Sequence, residues 1–490
     1  MPSNDNGRPI FTKLSRPIME DVKIFIDYSM AKSTLQSIPV TIGQEIELKI
    51  DSMAYDNSAI GRYKDFVIMV DRGAPGDLVN ASVTSLRPNY ARATILEIKK
   101  SDINYRIDPP CKLFKVCGGC QWQHLHYEKQ LEQKNLILSA FISRLALDKN
   151  ILKEIISSDD IWSYRNKVQY PVRTVKDTGR LKAGYFEWHS NDLVNIKYCP
   201  VQYNLFDRIV ETVRELSLKY WIYAYDGKEK SGWLRHICIR SGINTGESLL
   251  TLVAVNETLS GSQEFASEIL EKYPELVGVC INLNTNTTNV IYGEKTKIIK
   301  GKGYLFEKVR NIKFKISATS FFQINTKQAE RLVNIVEEYA SLCGSEVVLD
   351  AYCGVGLLAL SIAHRAKKII GIEEIHQSID DANFTVKENN IKNVKFIIGK
   401  VENKIGSVLK TEKPEVVILD PPRAGCNKIV LNNVINSISI RKIIYVSCNP
   451  STLVRDLEIL KTGGFKIKSI QPIDMFPHTY HVECVVLLEK

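Results

Sequence analysis

From Ile42 to Lys99 the chain alternates apolar and polar positions in short runs, EIELKI, DFVIMV, LVNASVTSL and RATILEI, separated by turn signals such as RGAPGD. A period of two predicts half-buried strands, and strands at this spacing predict a small β-barrel. A helical pattern follows within 123–148, carried by Leu131, Leu138, Phe141, Ile142 and Leu145. Residues 160–310 mix strands (KVQYPVRTV, LLTLVAV, VCINLN) with a helix near 204–219, which predicts an α+β region. From Ser320 the pattern changes again. A helix at 326–342 precedes the continuous apolar strands EVVLD, KIIGIE, VKFIIG, EVVILD and KIIYVS, which alternate with helical or polar segments. That order predicts a parallel, doubly wound sheet covered on both faces. FKIKSIQPID and HVECVVLLE predict an antiparallel hairpin at its edge.

The expected fold is therefore α/β and multidomain. Residues 1–40 form an extension, 41–100 an OB-like barrel, 101–319 an α+β central domain and 320–490 a Rossmann-like domain, on which the 123–148 helix is free to pack. A length of 490 residues accommodates three such cores. The 44% apolar and 24% charged content excludes a disordered chain. No apolar run approaches the ~18–20 residues that span a bilayer, and the first residues lack a secretory pattern. The expectation is a cytoplasmic protein with no membrane association. The net charge of +10 suits a polyanion such as RNA, although charge alone fits an uninvolved basic surface equally well.

Gly354-Val355-Gly356-Leu357-Leu358-Ala359 fits G-x-G-x-x-A between a strand and a helix. Alone, this pattern also marks nicotinamide-dinucleotide folds. Asp350, four positions earlier, separates the two readings. A carboxylate there opposes a pyrophosphate but favours a cation, and S-adenosylmethionine carries a sulfonium and an ammonium. Glu373 ends the next strand at the distance expected of a ribose-binding acid. Asp420 ends another, in VVILDPPRAGC, and Cys448 follows a fourth, in IIYVSCNPST. Ligands of open parallel sheets bind beyond the strand carboxyl ends, so these four residues are expected to share one crevice.

A thiolate combined with a sulfonium methyl donor points to methylation of a pyrimidine carbon. Addition of the thiolate to uracil C6 makes C5 nucleophilic, and a base must later remove the C5 proton. Glu483, an acid within the apolar strand HVECVVLLE, is the first candidate for that base, with His478 and His481 as alternatives. A buried, inert thiol and an exposed strand-end acid are the competing readings.

The blocks SATSFFQIN, VVLDAYCGVG, LDPPRAGC, YVSCNPSTLVRDL and DMFPHTYHVE resemble the RNA 5-methyluridine methyltransferases, and YRNKVQYPV, WLRHICIR and the cysteine block extend the likeness over residues 42–490. The resemblance implies Cys448 as nucleophile and Glu483 as base. It implies S-adenosylmethionine contacts from Gln323, Tyr352, Glu373 and Asp420, and a TRAM-type RNA-binding barrel at 42–99, here with a degenerate second turn, SMAYDNSAIGRY. Some members carry a polar residue where this chain has Leu357. Phe321 and Phe322 suit either stacking on a flipped base or core packing. Ribosomal RNA of the large (23S) subunit is the expected substrate, because members with both barrel and cysteine cluster often act there, and transfer RNA is the alternative. A non-catalytic RNA-binding protein of the same fold and an NAD-dependent oxidoreductase are the rival classes.

Cys111, Cys117 and Cys120 fall within ten residues, and the 11 cysteines are odd in number, which argues against a disulfide framework. Three clustered thiols need a fourth ligand. Spacing alone divides evenly between an iron–sulfur cluster completed by Cys199 and a zinc site completed by His124 or His126. The resemblance implies a [4Fe–4S] cluster on Cys111, Cys117, Cys120 and Cys199.

Overall fold

A computed structural model gives the structure of the chain and describes residues 38–286 and 288–490, so the expected extension lies almost wholly outside the described residues. Strands β1 (Glu45–Met53), β2 (Ala59–Tyr63), β3 (Phe66–Val70), β4 (Leu78–Arg87) and β5 (Tyr90–Lys100) close a barrel in the order β1-β2-β3-β5-β4. In β1 the alternation works as read: Ile46, Leu48 and Ile50 are buried while Glu45, Glu47 and Lys49 are exposed. The sequence reading missed β2. The turn before it has no glycine, and Asn57 takes the left-handed conformation with φ 77°. Asp56 Oδ1 accepts the Ser58 N–H at 3.0 Å. Short polar side chains tolerate this geometry because they satisfy the local backbone themselves.

Helix α1 (Tyr127–Ile142) leaves the barrel and buries an unusually polar face: Gln130, Gln133 and Lys134 beside Ile137, Leu138 and Ile142. Each polar group has a distant partner. Gln133 Oε1 accepts the Met53 N–H of the barrel at 3.0 Å. Gln130 Nε2 donates to the Trp122 and Leu125 carbonyls, and its Oε1 accepts the His478 N–H at 2.8 Å. Lys134 Nζ lies 2.6 Å from Asp474 Oδ1, with both side chains 0% exposed. The Phe476 carbonyl takes a second Lys134 proton at 3.2 Å, and Asp474 Oδ2 accepts the Tyr127 hydroxyl at 2.8 Å. The apolar residues Leu138 and Ile142 join the core under the carboxyl-terminal sheet.

The central sheet has the order β11-β10-β9-β8-β6-β7. Its strands are β6 (Lys167–Thr174), β7 (Leu181–Ala183), β8 (Leu234–Ser241), β9 (Ser248–Ala254), β10 (Leu276–Leu283) and β11 (Lys295–Gly301). Helices α2 (Leu205–Lys219) and α3 (Ser262–Lys272) share its main core. The second of these went unread because its apolar stripe is only Phe265, Ala266 and Ile269. A hairpin of β12 (Tyr304–Val309) and β13 (Ile312–Ser317), placed in the central region by sequence, buries Leu305, Val309, Phe314 and Ile316 in the core of the carboxyl-terminal layer.

That layer begins with α4 (Thr326–Ala340) and continues β14 (Val347–Ala351), α5 (Leu357–Ile362), β15 (Lys368–Glu373), α6 (His376–Glu388), β16 (Val394–Ile398), α7 (Val401–Glu412), β17 (Val416–Leu419), α8 (Lys428–Asn436), β18 (Lys442–Ser447), α9 (Pro450–Thr462), β19 (Lys466–Ile473) and β20 (Glu483–Glu489). The sheet order is β16-β15-β14-β17-β18-β20-β19. The first five strands are parallel, and β20 is antiparallel to both neighbours, as expected for the edge hairpin. Among the described residues, no helix is long and apolar enough to cross a membrane.

The Lys134–Asp474 pair makes a test of this interface. Removing one partner strands the other charge without water, which costs about 3–5 kcal/mol. Lys134→Met is expected to lower stability in urea unfolding by that amount, and the double change Lys134→Met with Asp474→Asn to recover more than half. An unchanged unfolding midpoint for the single variant would show that the pair does not hold α1 in place.

Candidate functional site

Five neighbouring strands, β15, β14, β17, β18 and β20, bring the sequence-predicted residues to one edge. Glu373 ends β15, Asp350 lies near the end of β14, Asp420 follows β17, Cys448 follows β18 and Glu483 begins β20. Parallel strands share one carboxyl edge, so the row follows from topology. On β20 the direction is reversed, and its first residue reaches the same edge. Ser447 pairs with Cys484, which sets the next positions outward, Cys448 and Glu483, opposite each other.

One cavity at this edge is lined by Phe321, Gln323, Asp350, Tyr352, Gly354, Leu357 and Asp420, among others. Gly354 and Gly356 both have positive φ, 54° and 83°, which frees the loop to turn tightly into α5. Tyr352 adopts φ 69° without being glycine, a strained conformation of the kind that gathers at binding sites. Asp350 Oδ2 accepts the Ala359 N–H at 3.0 Å. Its Oδ1 is buried and has no hydrogen-bond partner. Burial, helped by Asp420 and Glu373, pushes the Asp350 carboxyl well above the ordinary range. Burial raises Asp420 to about 7. Glu373 stands behind the glycine loop: its oxygens accept the N–H groups of Gly354 at 3.0 Å and Ile375 at 2.8 Å. Both rings line the cavity, but Phe322 is 3% exposed and belongs to the core, whereas Phe321 is 60% exposed.

Cys448 is half-buried at the entrance to α9. Asn449 caps that helix by accepting the Ser451 N–H at 3.1 Å. Burial, Glu483 and Asp420 raise the thiol to about 11, while Arg423 opposes the rise. Glu483 is 3% exposed. Burial and Asp420 push its carboxyl well above the ordinary range, again against Arg423. Arg423, in DPPRAG, is the functional-site cation that the sequence reading left unassigned.

The two histidine alternatives have other surroundings. The His478 ring stacks on Trp162 at 3.8 Å between centroids, and its carbonyl accepts the Gln121 and Trp122 N–H groups at 2.9 Å. His478 is thus a clamp between the cysteine stretch and the sheet edge. The His481 ring packs on Tyr480 at 4.2 Å. Burial drives both imidazoles down to about 3, and neither is among the groups whose charge acts on Cys448.

A second cavity gathers Cys111, Cys117, Cys120 and Cys199 with Leu113, Phe114, Gln123 and Tyr185. Cys117 Sγ accepts the Gly119 N–H at 3.3 Å. Neither histidine proposed as a zinc ligand lines this cavity. His124 Nε2 is 3.0 Å from the Gly73 carbonyl and His126 Nε2 is 3.1 Å from the Ile103 carbonyl. Both ring nitrogens thus face backbone carbonyls away from the thiols, a placement that spacing along the chain does not reveal. Among the described residues, no group of three or more His, Cys, Asp or Glu is arranged to hold a single metal ion.

Residues 281–490 match the family model of tRNA (uracil-5-)-methyltransferase, and residues 39–96 match the TRAM domain. An uncharacterised RNA methyltransferase of Bacillus cereus is 35% identical over 94% of this chain and 99% of its own length. One of Caldanaerobacter subterraneus is 37% identical over 92% and 99%. The crystal structure of Pyrococcus abyssi tRNA (uracil-54, C5)-methyltransferase with S-adenosyl-L-homocysteine superposes with a TM-score of 0.71 and 27% identity, covering 90% of this chain and 99% of that one. The chain belongs to the tRNA (uracil-5-)-methyltransferase family of RNA methyltransferases.

Proposed function

We propose that this protein forms 5-methyluridine in a folded RNA, with S-adenosylmethionine as methyl donor. The observation that carries the reading is the placement of Cys448, just past the end of β18, beside Glu483, the first residue of the neighbouring β20, next to a cavity lined by Asp350 and Asp420. The Cys448 thiol first gives its proton to solvent, and Arg423 favours the resulting thiolate. Sγ then adds to C6 of uracil, and the C5–C6 π pair moves onto C5 and the C4 carbonyl. S-adenosylmethionine, when bound, supplies an electrophilic methyl group; C5 takes it as the methyl–sulfur bond breaks, and S-adenosylhomocysteine is the leaving group. Glu483 removes the proton left on C5. The electron pair re-forms the C5–C6 double bond, the C6–S bond breaks and the thiolate returns. Glu483 has to be ionised for that step, and a carboxylate whose affinity for protons is raised by burial is then the stronger base.

Gln323, Tyr352 and Asp420 line the donor cavity, and the unpartnered Asp350 Oδ1 suits a donor bearing positive charge. Glu373 keeps a lone pair on each oxygen for ribose hydroxyls. Phe321 offers an exposed ring on which a flipped base can stack. The TRAM barrel and the +10 charge support RNA as partner. Large-subunit ribosomal RNA is the leading substrate. Transfer RNA is the second reading, favoured by the Pyrococcus abyssi relative. We place a [4Fe–4S] cluster on Cys111, Cys117, Cys120 and Cys199. Four thiols around one cavity, with a backbone N–H on one sulfur, suit a multi-iron group better than one ion. Its part is structural: the loop it ties down reaches the catalytic edge through His478.

Ribosomal and transfer RNA from a deletion strain are the substrates that test the mechanism and locate the modified uridine together. Cys448→Ala is expected to abolish methylation and any covalent RNA adduct. Glu483→Gln is expected to transfer the methyl group and then accumulate the adduct. Methylation by Cys448→Ala would remove the nucleophile from the account.

Donor affinity carries a pH signature. Asp420 titrates at about 7, so it is partly protonated at neutral pH. A cationic ligand favours the carboxylate and expels that proton, so affinity for S-adenosylmethionine is expected to strengthen from pH 6 to pH 8 by about tenfold or less. Asp420→Asn is expected to flatten the profile, and a flat wild-type profile by calorimetry would contradict the assignment.

Metal analysis after anaerobic purification is expected to find about four irons per chain, the content of one such cluster, and Cys199→Ser is expected to reduce that content. Stoichiometric zinc without iron would refute the cluster.

A further inference from the structure

We propose that Tyr55, a residue of the barrel, positions the Cys448 nucleophile, so that the barrel completes the catalytic centre as well as gripping RNA. The inference rests on the methyltransferase reading above.

The loop that carries Cys448 is held on both sides from within its own layer. Ser447 Oγ and the Asn449 backbone N–H lie 3.2 Å apart, and Asn449 Nδ2 donates to the Arg423 carbonyl at 3.0 Å. The Cys448 carbonyl is held from elsewhere. It accepts the Tyr55 hydroxyl at 3.3 Å, across 393 positions of sequence. Tyr55 sits in the glycine-free turn between β1 and β2. The turn is fixed by the Asn57 N–H on the Ala54 carbonyl at 3.0 Å and by the Asp56–Arg92 ion pair at 2.7 Å.

The Tyr55 ring is equally constrained. It meets Tyr480 edge-on at 5.5 Å and Phe141 of α1 at 5.6 Å. Tyr480 lies three residues before Glu483. One side chain of the barrel thus touches the nucleophile loop and the segment that leads into the base. Burial pushes the phenol far above its usual range, so its O–H is a donor at every working pH.

The Cys448–Asn449 peptide joins a strand to a helix, and its rotation swings the Cα–Cβ bond that aims Sγ at uracil C6. Reactions of this kind lose about 10²-fold for a misplacement of about 1 Å. A hydrogen bond from another domain fixes that rotation where strand and helix ladders do not.

Tyr55→Phe keeps both ring contacts and removes only the donor. The expected result is an unchanged thermal unfolding midpoint, unchanged affinity for RNA and S-adenosylmethionine, and a fall of about tenfold in kcat, the worth of one such bond. Covalent capture of RNA containing 5-fluorouridine should slow by the same factor, because both need Sγ on C6. A kcat within about twofold of wild type, or a loss expressed only in the KM for RNA, would overturn the proposal. Cys448→Ala in parallel separates the failures. If it still methylates, the methyltransferase mechanism is wrong. If it is inactive while Tyr55→Phe behaves as wild type, only the role of Tyr55 is wrong.

Discussion

Three carboxyl groups lie at one sheet edge, those of Asp350 and Glu483 buried and that of Asp420 half-buried, and the cation acting on Glu483 and Cys448 is the exposed Arg423. Removing carboxylates from water costs several kcal/mol each unless they are protonated or paired. Protonation meets that cost in the free protein, and a cationic ligand meets it in the complex. The same desolvation raises Cys448 and Glu483, so in the proposed reaction the thiol and the carboxyl each give up a proton to solvent before they act. In the proposed reaction, donor binding and the two proton steps thus draw on one condition, the burial that raises these carboxyl and thiol groups.

The fold creates that crevice by stacking strand ends. Asp420 follows β17, which stands between β15 and β14, the strands of the proposed donor site, and β18 and β20, those of the proposed nucleophile and base. Helix α1 then ties the other layers to the edge. Its Gln133 reaches the barrel, its Gln130 reaches His478 and its Lys134 reaches Asp474. These contacts are polar and directional, so they fix register as well as proximity. The barrel and the cysteine loop are thereby joined to the catalytic edge, the one through Tyr55 and the other through His478.

The convergence of Glu373, Asp350, Asp420 and Cys448 was legible in the sequence because apolar runs of strand length declare a parallel sheet, and a parallel sheet has one carboxyl edge. The edge hairpin was legible for the same reason, and it carried Glu483 into place. Other features were hidden because they depend on partners remote in sequence. Gln130, Gln133 and Lys134 read as the solvent face of a helix, yet the Lys134 partner lies 340 positions away. Strand β2 is hidden in the sequence because Asn57 takes the left-handed place of a glycine in the turn before it, while Asp56 accepts the Ser58 N–H. Ring direction, which spacing does not encode, decided against His124 and His126 as ligands. It also separated Phe321 from Phe322.

The central claim is covalent catalysis by one cysteine among eleven. RNA bearing 5-fluorouridine at the target site has no removable proton on C5 after methylation, so the enzyme cannot release it. Digestion of the denatured complex and mass spectrometry of the nucleotide-bearing peptide locate the bond. The account predicts a methylated fluorouridine on Cys448, formed only with S-adenosylmethionine present. A bond to Cys353 or Cys426, or turnover on ordinary RNA with no trapped complex on the fluorinated one, would contradict it.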